Sequence, residues 1–484
     1  MYAIISPRFA LRGWHGLPFG LEDRANGINS PLDAASFQAL SLCDGKTPIA
    51  FPLVSSSLIE RVHRLIDAGV AQACDPGAKL AGEQAYRQTQ ARFIDLVHWS
   101  ITGKCNLRCR HCYMEAPRAK YGELSTEQCL HIVDQLHQAN VSRVAITGGE
   151  PLIRADFWRI VDALREKGII LAELFTNGVL LTDSTLAALR KRALSPTLVL
   201  SFDGLGTHDW VRGVAAVEEK VIEAIPRAVK AGFRVSIETA VYKGNLNRLM
   251  PTYALLKGLG ISAWKVAGMM NTGGWRREGR HLTAPRTALY AAYLDLAARH
   301  RRDGAPFTLA LGGLYYGAKG GSLWMSPFNK LSGQPDAVSQ AVCLSCRIRP
   351  AIMADGRLLP CIPMTDTGVE REMPRLSETT LSQALRDSAY FDRIDTRVEQ
   401  LFSRNRQCRA CAHRLKCGGG CRASALAAGH GDYFGADPDA CFFFKNGYDE
   451  KLARKLNAKP ASALEITQAR TRADRTQAAR MAVG

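Results

Sequence analysis

Eleven of the fourteen cysteines fall into three tight groups, and no other feature limits the possible folds of this chain so strongly. Cys105, Cys109 and Cys112 form the first group, and Cys343, Cys346 and Cys361 the second. Cys408, Cys411, Cys417 and Cys421 form the third, with Cys441 beyond. The N-terminus places Pro7 and Arg8 where a secretory signal needs its apolar stretch, so a cytoplasmic protein is expected. Thiols there stay reduced, and grouped thiols then read as metal ligands rather than disulfides. The isolated Cys43, Cys74 and Cys129 read as small buried apolar residues.

At 484 residues the chain is too long for one ordinary domain. A hydrophobic share of 46% with 22% charged residues excludes a mostly disordered chain. No uncharged apolar run approaches the roughly 18–20 residues that cross a bilayer, so no membrane span is expected. The net charge of +18 suggests anionic partners. It is not carried by the first 90 residues, where eight Lys/Arg face eight Asp/Glu. That balance argues against a nucleic-acid partner, since such binding leans on phosphate neutralisation.

The text changes character twice. Residues 1 to about 85 read as strands followed by two short helices, near 32–43 and from Leu58 to about Gly69. From Ile94, apolar strands alternate with helical stretches: Asp95–Ile101, Arg143–Thr147, Leu171–Thr176, Thr197–Phe202, Arg234–Val241 and Ala263–Val266. Six such units predict a parallel sheet with right-handed crossovers, closer to a partial barrel than to a closed eight-fold one. Chemistry in such folds sits at the C-terminal ends of the strands. After about residue 330 regular periodicity fades while cysteines crowd together, which predicts a region held by its metal sites.

Cys105-Asn-Leu-Arg-Cys109-Arg-His-Cys112 follows the first strand of the alternating region. Three thiolates would hold three irons of a cubane and leave the fourth open. A zinc site would want a fourth protein ligand, and His111 is squeezed between the thiols. The Cys-x3-Cys-x2-Cys spacing with Tyr113 after it resembles the radical S-adenosylmethionine (SAM) superfamily. The resemblance implies that the open iron chelates SAM, whose reductive cleavage gives a 5′-deoxyadenosyl radical. Gly148-Gly149-Glu150-Pro151 after the second strand is similar to that family's glycine-rich segment. It implies close backbone approach at Gly148 and Gly149, with Glu150 accepting from the SAM ammonium. By the same resemblance Thr176, Asn177, Ser201 and Asp203 at later strand ends line SAM. Arg212 partners its carboxylate, and Tyr113 stacks near its adenine. Read alone, each strand-end segment would be an ordinary turn.

The later cysteines, with Gly356 between Cys346 and Cys361, resemble the SPASM extension of radical SAM enzymes that modify peptides and proteins. The resemblance implies two auxiliary [4Fe–4S] clusters. Cys346, Cys361 and Cys421 serve the first, with Cys343 as its candidate fourth ligand. Cys408, Cys411, Cys417 and Cys441 serve the second. If Cys343 binds, neither cluster keeps a free iron, and electron transfer becomes their expected role.

The whole therefore reads as α/β. A winged-helix-like α+β module over 1–90 precedes a partial (β/α)6 radical SAM barrel over 94–325. A cysteine-rich SPASM domain over 330–450 follows, then a basic helical or frayed tail over 451–484. The N-terminal module resembles, weakly, the leader-recognition element of peptide maturases, and position supports this more than any motif. Ile362 stands where sulfatase-maturing enzymes place an aspartate directly after the cysteine. The expected activity is an oxidative crosslink (C–C, C–O or thioether) in a leader-bearing ribosomal peptide. Its cofactors would be SAM and three [4Fe–4S] clusters, its reductant a flavodoxin or ferredoxin. A radical SAM/SPASM enzyme acting on a folded protein or small molecule is the alternative. A non-catalytic iron–sulfur or zinc protein is the alternative of another class. The sequence singles out no carboxylate as the proton acceptor, and Trp275-Arg276-Arg277 lies where a peptide would enter the barrel.

Overall fold

The structure, a computed structural model, describes residues 1–461 and residue 465, apart from Pro335 and His430. The tail expected over 451–484 therefore lies mostly outside the described residues.

The chain opens with β1 (Tyr2–Ile5), β2 (Phe9–Trp14), β3 (Leu17–Asp23) and β4 (Ile28–Pro31). Helices α1 (Ala34–Ser41) and α2 (Ser56–Asp67) and strand β5 (Ala71–Cys74) follow. Each helix starts where a short polar side chain caps it: Asp33 accepts from the Ser36 amide and Ser55 from the Leu58 amide. β5 pairs antiparallel with β1, while β2, β3 and β4 form an antiparallel sheet extended by the short β6 (Arg87–Gln88). Ala3, Ile5, Leu11, Leu40, Cys43 and Val62 close a small core of their own. Cys43 and Cys129 are buried as expected, but Cys74 is half-exposed because it sits on an edge strand.

This unit is fastened to the rest at one corner. The Asn140 side-chain amide donates to Gly13 O at 3.1 Å and Arg87 O at 2.9 Å. The Ser142 hydroxyl donates to Gly27 O at 2.7 Å, and Asn29 donates to that hydroxyl at 2.8 Å.

The alternating region runs β7 (Val97–Ser100), α3 (Thr126–Gln138), β8 (Arg143–Thr147), α4 (Phe157–Glu166), β9 (Ile170–Thr176) and α5 (Asp183–Lys191). It continues with β10 (Thr197–Ser201), α6 (His208–Arg212), α7 (Val217–Lys230), β11 (Val235–Val241), α8 (Leu249–Gly258) and β12 (Ala263–Gly268). All six expected strands are present, each parallel to its neighbour. A seventh, β13 (Thr308–Leu311), adds parallel to β12 after α9 (Arg286–Arg302). The sequence reading missed both elements. Alanines and arginines dilute the apolar stripe of α9, whose buried face includes Tyr290, Tyr293 and His300.

Short strands β14 (Tyr315–Gly317) and β15 (Trp324–Met325) extend that side of the sheet. At the opposite side α10 (Leu344–Ile348) leads into β16 (Ala351–Ile352), which pairs parallel with β7, and β17 (Leu358–Leu359) pairs with β16. One eleven-stranded sheet results, with the C-terminal region sewn onto the first barrel strand.

Beyond β17 the chain is more helical than its sequence suggests. Helices Ala389–Asp395, Val398–Arg404, Arg406–Arg409, Arg414–Cys417, Arg422–Ala428 and Pro438–Lys445 have four to eight residues each. One or two turns are too short for apolar periodicity to register. Helix Tyr448–Leu456 docks on α9, where Tyr448 meets Tyr290 edge-on at 4.8 Å and Lys455 pairs with Asp295 at 3.1 Å.

Candidate functional site

The loop after β7 that carries Cys105, Cys109 and Cys112 is held by backbone contacts on several sides. The Gly149 and Glu150 amides donate to Thr102 O and Lys104 O, both at 2.9 Å. The Arg108 and Arg110 amides donate to Arg212 O at 3.1 Å and Val211 O at 2.9 Å, and the Gly274 amide to Cys112 O at 3.0 Å. Such approaches require glycine: a β-carbon at Gly149 would stand 1.9 Å from Lys104 O, and one at Gly273 2.4 Å from Cys112 O.

Ion pairs finish the clamp. Asp366, from the C-terminal region, accepts from the Gly273 amide at 2.7 Å, Arg276 at 2.6 Å and Lys120 at 2.5 Å. Glu115 takes Arg277 at 2.8 Å and Lys120 at 3.1 Å. Arg276 and Arg277, read from sequence as candidate substrate contacts, are thus engaged in fastening the loop.

A cavity of 640 Å³ opens at the C-terminal ends of the strands. Cys105, Cys109, Cys112, Tyr113, Gly148, Gly149, Thr176, Asn177, Ser201 and Arg212 all line it. Glu150 and Asp203 stand one layer behind and are fully buried. Glu150 accepts from the Thr176 hydroxyl at 2.9 Å, the Asn177 amide at 2.8 Å and the Leu152 amide at 3.2 Å. Asp203 accepts from Arg212 Nε at 2.7 Å and from the Ala240 amide at 3.0 Å. Both carboxylates therefore act as struts that fix wall residues.

Burial dominates the electrostatics. It pushes the Glu150 carboxyl up to about 7 despite its three hydrogen bonds. It pushes the Cys105 thiol up to about 12 and raises Cys109 and Cys112 as well. Burial also opposes ionisation of Asp203, yet the Arg212 guanidinium holds it well below the usual carboxylate range. Arg212 Nη1 in turn reaches Cys109 Sγ at 3.7 Å. His111, lowered by burial to about 4, is a neutral imidazole whose buried Nδ1 has no hydrogen-bond partner among the described residues.

Cys343 opens α10, Cys346 lies within it, Cys361 follows β17 and Cys421 heads helix Arg422–Ala428. All four line the same cavity as the first group. Cys346 is in side-chain contact with both Cys343 and Cys361. Cys408, Cys411, Cys417 and Cys441 gather away from the cavity wall, where burial raises the Cys408, Cys417 and Cys441 thiols and the neighbouring sulfurs add to it.

Residues 99–255 match the family model described as the Radical SAM superfamily. The chain carries a radical SAM domain. Over 181 residues it is 34% identical to the AdoMet-dependent heme synthase of Methanosarcina barkeri, covering 37% of this chain and 51% of that protein. Over 155 residues it is 35% identical to the mycofactocin maturase MftC of Mycobacterium tuberculosis, covering 31% of this chain and 39% of that one. The matched segment thus spans about half the length of these curated relatives or less. The fold likeness reaches further. SuiB of Streptococcus suis, solved bound to its precursor peptide SuiA, superposes with a TM-score of 0.61 at 17% identity, over 91% of this chain and 99% of SuiB.

A radical SAM domain implies SAM and one [4Fe–4S] cluster, and the residues present fit both. Three thiols on one clamped loop are neutral and half-buried as they stand, so iron would supply the charge that makes them thiolates. The glycine pair keeps the adjoining wall free of side chains for a ligand's approach. Among the described residues no trio of His, Cys, Asp or Glu has the geometry of a single metal ion. The fit to a cluster therefore rests on donor chemistry and on the shared wall.

Several residues on the cavity wall or beside the later cysteines were not singled out from sequence. Glu238 on β11 and Lys265 on β12 form an ion pair at 2.7 Å on the cavity wall, with His98 of β7 also lining it. Strand alternation was the available signal. Val235, Ile237, Thr239 and Val241 are buried against the helices, which turns Ser236, Glu238 and Ala240 inward. Lys330 donates to Val342 O at 2.9 Å and Gly420 O at 2.5 Å, and its charge bears on Cys343, Cys417 and Cys421. Asp437 accepts from the Cys421 amide and the Ser424 hydroxyl, both at 2.7 Å, and caps Pro438–Lys445. An aspartate directly before a proline was a legible helix start, whereas Lys330 had no local signal.

Proposed function

We propose that the chain is a cytoplasmic radical SAM enzyme that installs an oxidative crosslink (carbon–carbon, carbon–oxygen or thioether) in a ribosomal precursor peptide. The observation that carries this reading is the one cavity walled by the Cys105–Cys112 loop and also by Cys343, Cys346, Cys361 and Cys421. Such a cavity holds a substrate between a site of radical generation and a site of electron removal.

Residues 94–325 serve as the barrel and 330–450 as a SPASM domain with two auxiliary clusters. Cys343, Cys346, Cys361 and Cys421 hold one, and Cys408, Cys411, Cys417 and Cys441 the other. Residues 1–90 hold the leader of the peptide, and helix Tyr448–Leu456 begins the basic tail assigned to 451–484. Cys105, Cys109 and Cys112 would hold the first cluster, and SAM bound beside it would supply a deoxyadenosyl radical on one-electron reduction. The reductant is a flavodoxin or ferredoxin, for which exposed Lys104, Arg108 and Arg110 on the cysteine loop offer a cationic face. The chain's own residues orient and shield: Thr176 and Asn177, braced by Glu150, and Arg212, braced by Asp203, fix the wall against which SAM lies. The barrel excludes water, and the cofactors carry the radical chemistry.

Anaerobic co-expression with the small open reading frame nearest the gene tests this reading. Each crosslink should remove about 2 Da from the peptide, two hydrogens per bond. An unchanged peptide mass with SAM still cleaved would sink it. Small-molecule chemistry is the second reading, favoured by the heme synthase relative, and failure of residues 1–90 to bind any leader peptide would support it.

Two further results are expected. Cys343→Ala should cost crosslinked product far more than it costs 5′-deoxyadenosine, because it strips a ligand from the electron-accepting side of the cavity. Equal losses of both would contradict its assignment. Glu150→Ala should weaken SAM binding, because its carboxyl braces Thr176 and Asn177 in the cavity wall. Equilibrium dialysis that gives wild type and Glu150→Ala the same SAM affinity would exclude this role.

A further inference from the structure

A titratable pair sits inside the barrel where apolar packing would be cheaper. Glu238 Oε1 accepts from Lys265 Nζ at 2.7 Å, and both side chains keep open surface, 38% and 60%, although both line the cavity. Lys265 is held charged, above all by Glu238. Since both residues line the cavity, part of their open surface faces it.

Strand register fixes the depth of the pair. Glu238 lies opposite Ser201, the last residue of β10, and opposite Lys265 on β12. Ser201 is on the wall assigned to SAM, so the carboxylate is level with the reacting end of the cavity and not at the barrel floor. Tyr113, directly after the last cysteine of the first group, is near enough to feel the Glu238 charge. Lys265 occupies Oε1, and among the described residues no hydrogen bond is made to Oε2. His98, the neighbouring imidazole on the wall, is lowered by burial to about 4, so it is a poor proton acceptor at neutral pH. An ion pair with this much open surface adds little to stability for its own sake.

We propose that Glu238 is the base that takes the proton released when the crosslink forms, with Lys265 as the positioning residue that holds its carboxylate in place. The inference rests on the crosslinking reading above. One hydrogen atom leaves a substrate carbon for the deoxyadenosyl radical. A proton leaves the partner atom of the new bond for Glu238 Oε2. The bond closes, and the one surplus electron passes to an oxidised auxiliary iron–sulfur cluster, the oxidant class the balance requires.

The test uses the cluster-loaded full chain and the co-expressed peptide, and reads the ratio of crosslinked peptide to 5′-deoxyadenosine. Glu238→Gln should lower that ratio about 100-fold, the scale of a lost general base. Lys265→Met should lower it too, and Lys265→Arg should restore most of it. Peptide affinity, measured by calorimetry without reductant, should stay within about threefold of wild type in all three, since a proton acceptor contributes little to ground-state binding. Glu238→Gln alone leaves the Lys265 ammonium without its partner, so Glu238→Gln with Lys265→Met serves as the variant in which no charge is left unpaired. Its ratio should remain as low as that of Glu238→Gln. An unchanged ratio in Glu238→Gln or in the double variant overturns the proposal, as does a loss of ratio fully explained by weaker peptide binding. A wild-type enzyme that modifies no peptide instead overturns the parent reading, and this one with it.

Discussion

Replacing Cys105, Cys109 and Cys112 together by alanine is expected to abolish SAM cleavage while the chain still folds. Iron per chain should fall from about twelve to about eight, the difference being one cubane. The two other thiol sets lie on separate elements and should keep their iron. His111 cannot stand in for the lost ligands, since one imidazole in a loop of fixed course does not replace three thiolates. That course depends on backbone bonds to Thr102, Val211, Arg212 and Gly274, not on the thiols, so thermal melting should move little. Anaerobic quantitation of 5′-deoxyadenosine with a chemical reductant, beside iron analysis, reads both effects. Residual cleavage, or iron unchanged at about twelve, would refute the assignment of the first cluster.

Asp203→Ala is expected to produce the largest loss of stability from a single side chain. Asp203 has no exposed surface, and Arg212 beside it is nearly as enclosed. Removing one partner of a buried pair leaves an uncompensated charge, at about 3–5 kcal/mol. The freed guanidinium would be drawn to Cys109 Sγ, already 3.7 Å from Nη1, which disturbs a cluster ligand as well. Asp203→Leu combined with Arg212→Met should recover much of the melting temperature, because no charge is then stranded. SAM binding should not recover with it, since Arg212, proposed to meet the ligand on the cavity wall, is gone. If Asp203→Ala melts with the wild type, the pair is not the strut described here.

The sequence carried these features unevenly, for physical reasons. The cysteine loop and the Gly148-Gly149-Glu150 turn are local: their chemistry is legible within a few residues. The strands from β7 to β12 were legible because each alternates or runs apolar between turn residues. β13 was hidden behind a helix whose buried face carries Tyr290, Tyr293 and His300 among arginines. The helices around the third cysteine group were too short for any period. Glu150 and Asp203 were singled out by motif as SAM contacts, whereas their place behind the wall, with their oxygens already engaged, depends on strand register. Glu238 was passed over because a charge inside a barrel is recognisable only once neighbouring strands are aligned. Lys330 joins segments 12 and 90 residues away in the chain, and composition gives no hint of that.

The pairing of β16 with β7 has a consequence for how the enzyme is made. Until residues 351 and 352 leave the ribosome, the first barrel strand has a bare parallel edge beside its sole early neighbour, β8. At about 5–20 residues per second that interval lasts roughly tens of seconds. Asp366, which ties down the cysteine loop through Gly273, emerges later still. Iron loading of the first site and chaperone protection of the nascent edge therefore fall in the same window. A chain stalled before residue 350 should aggregate rather than accumulate as an active barrel.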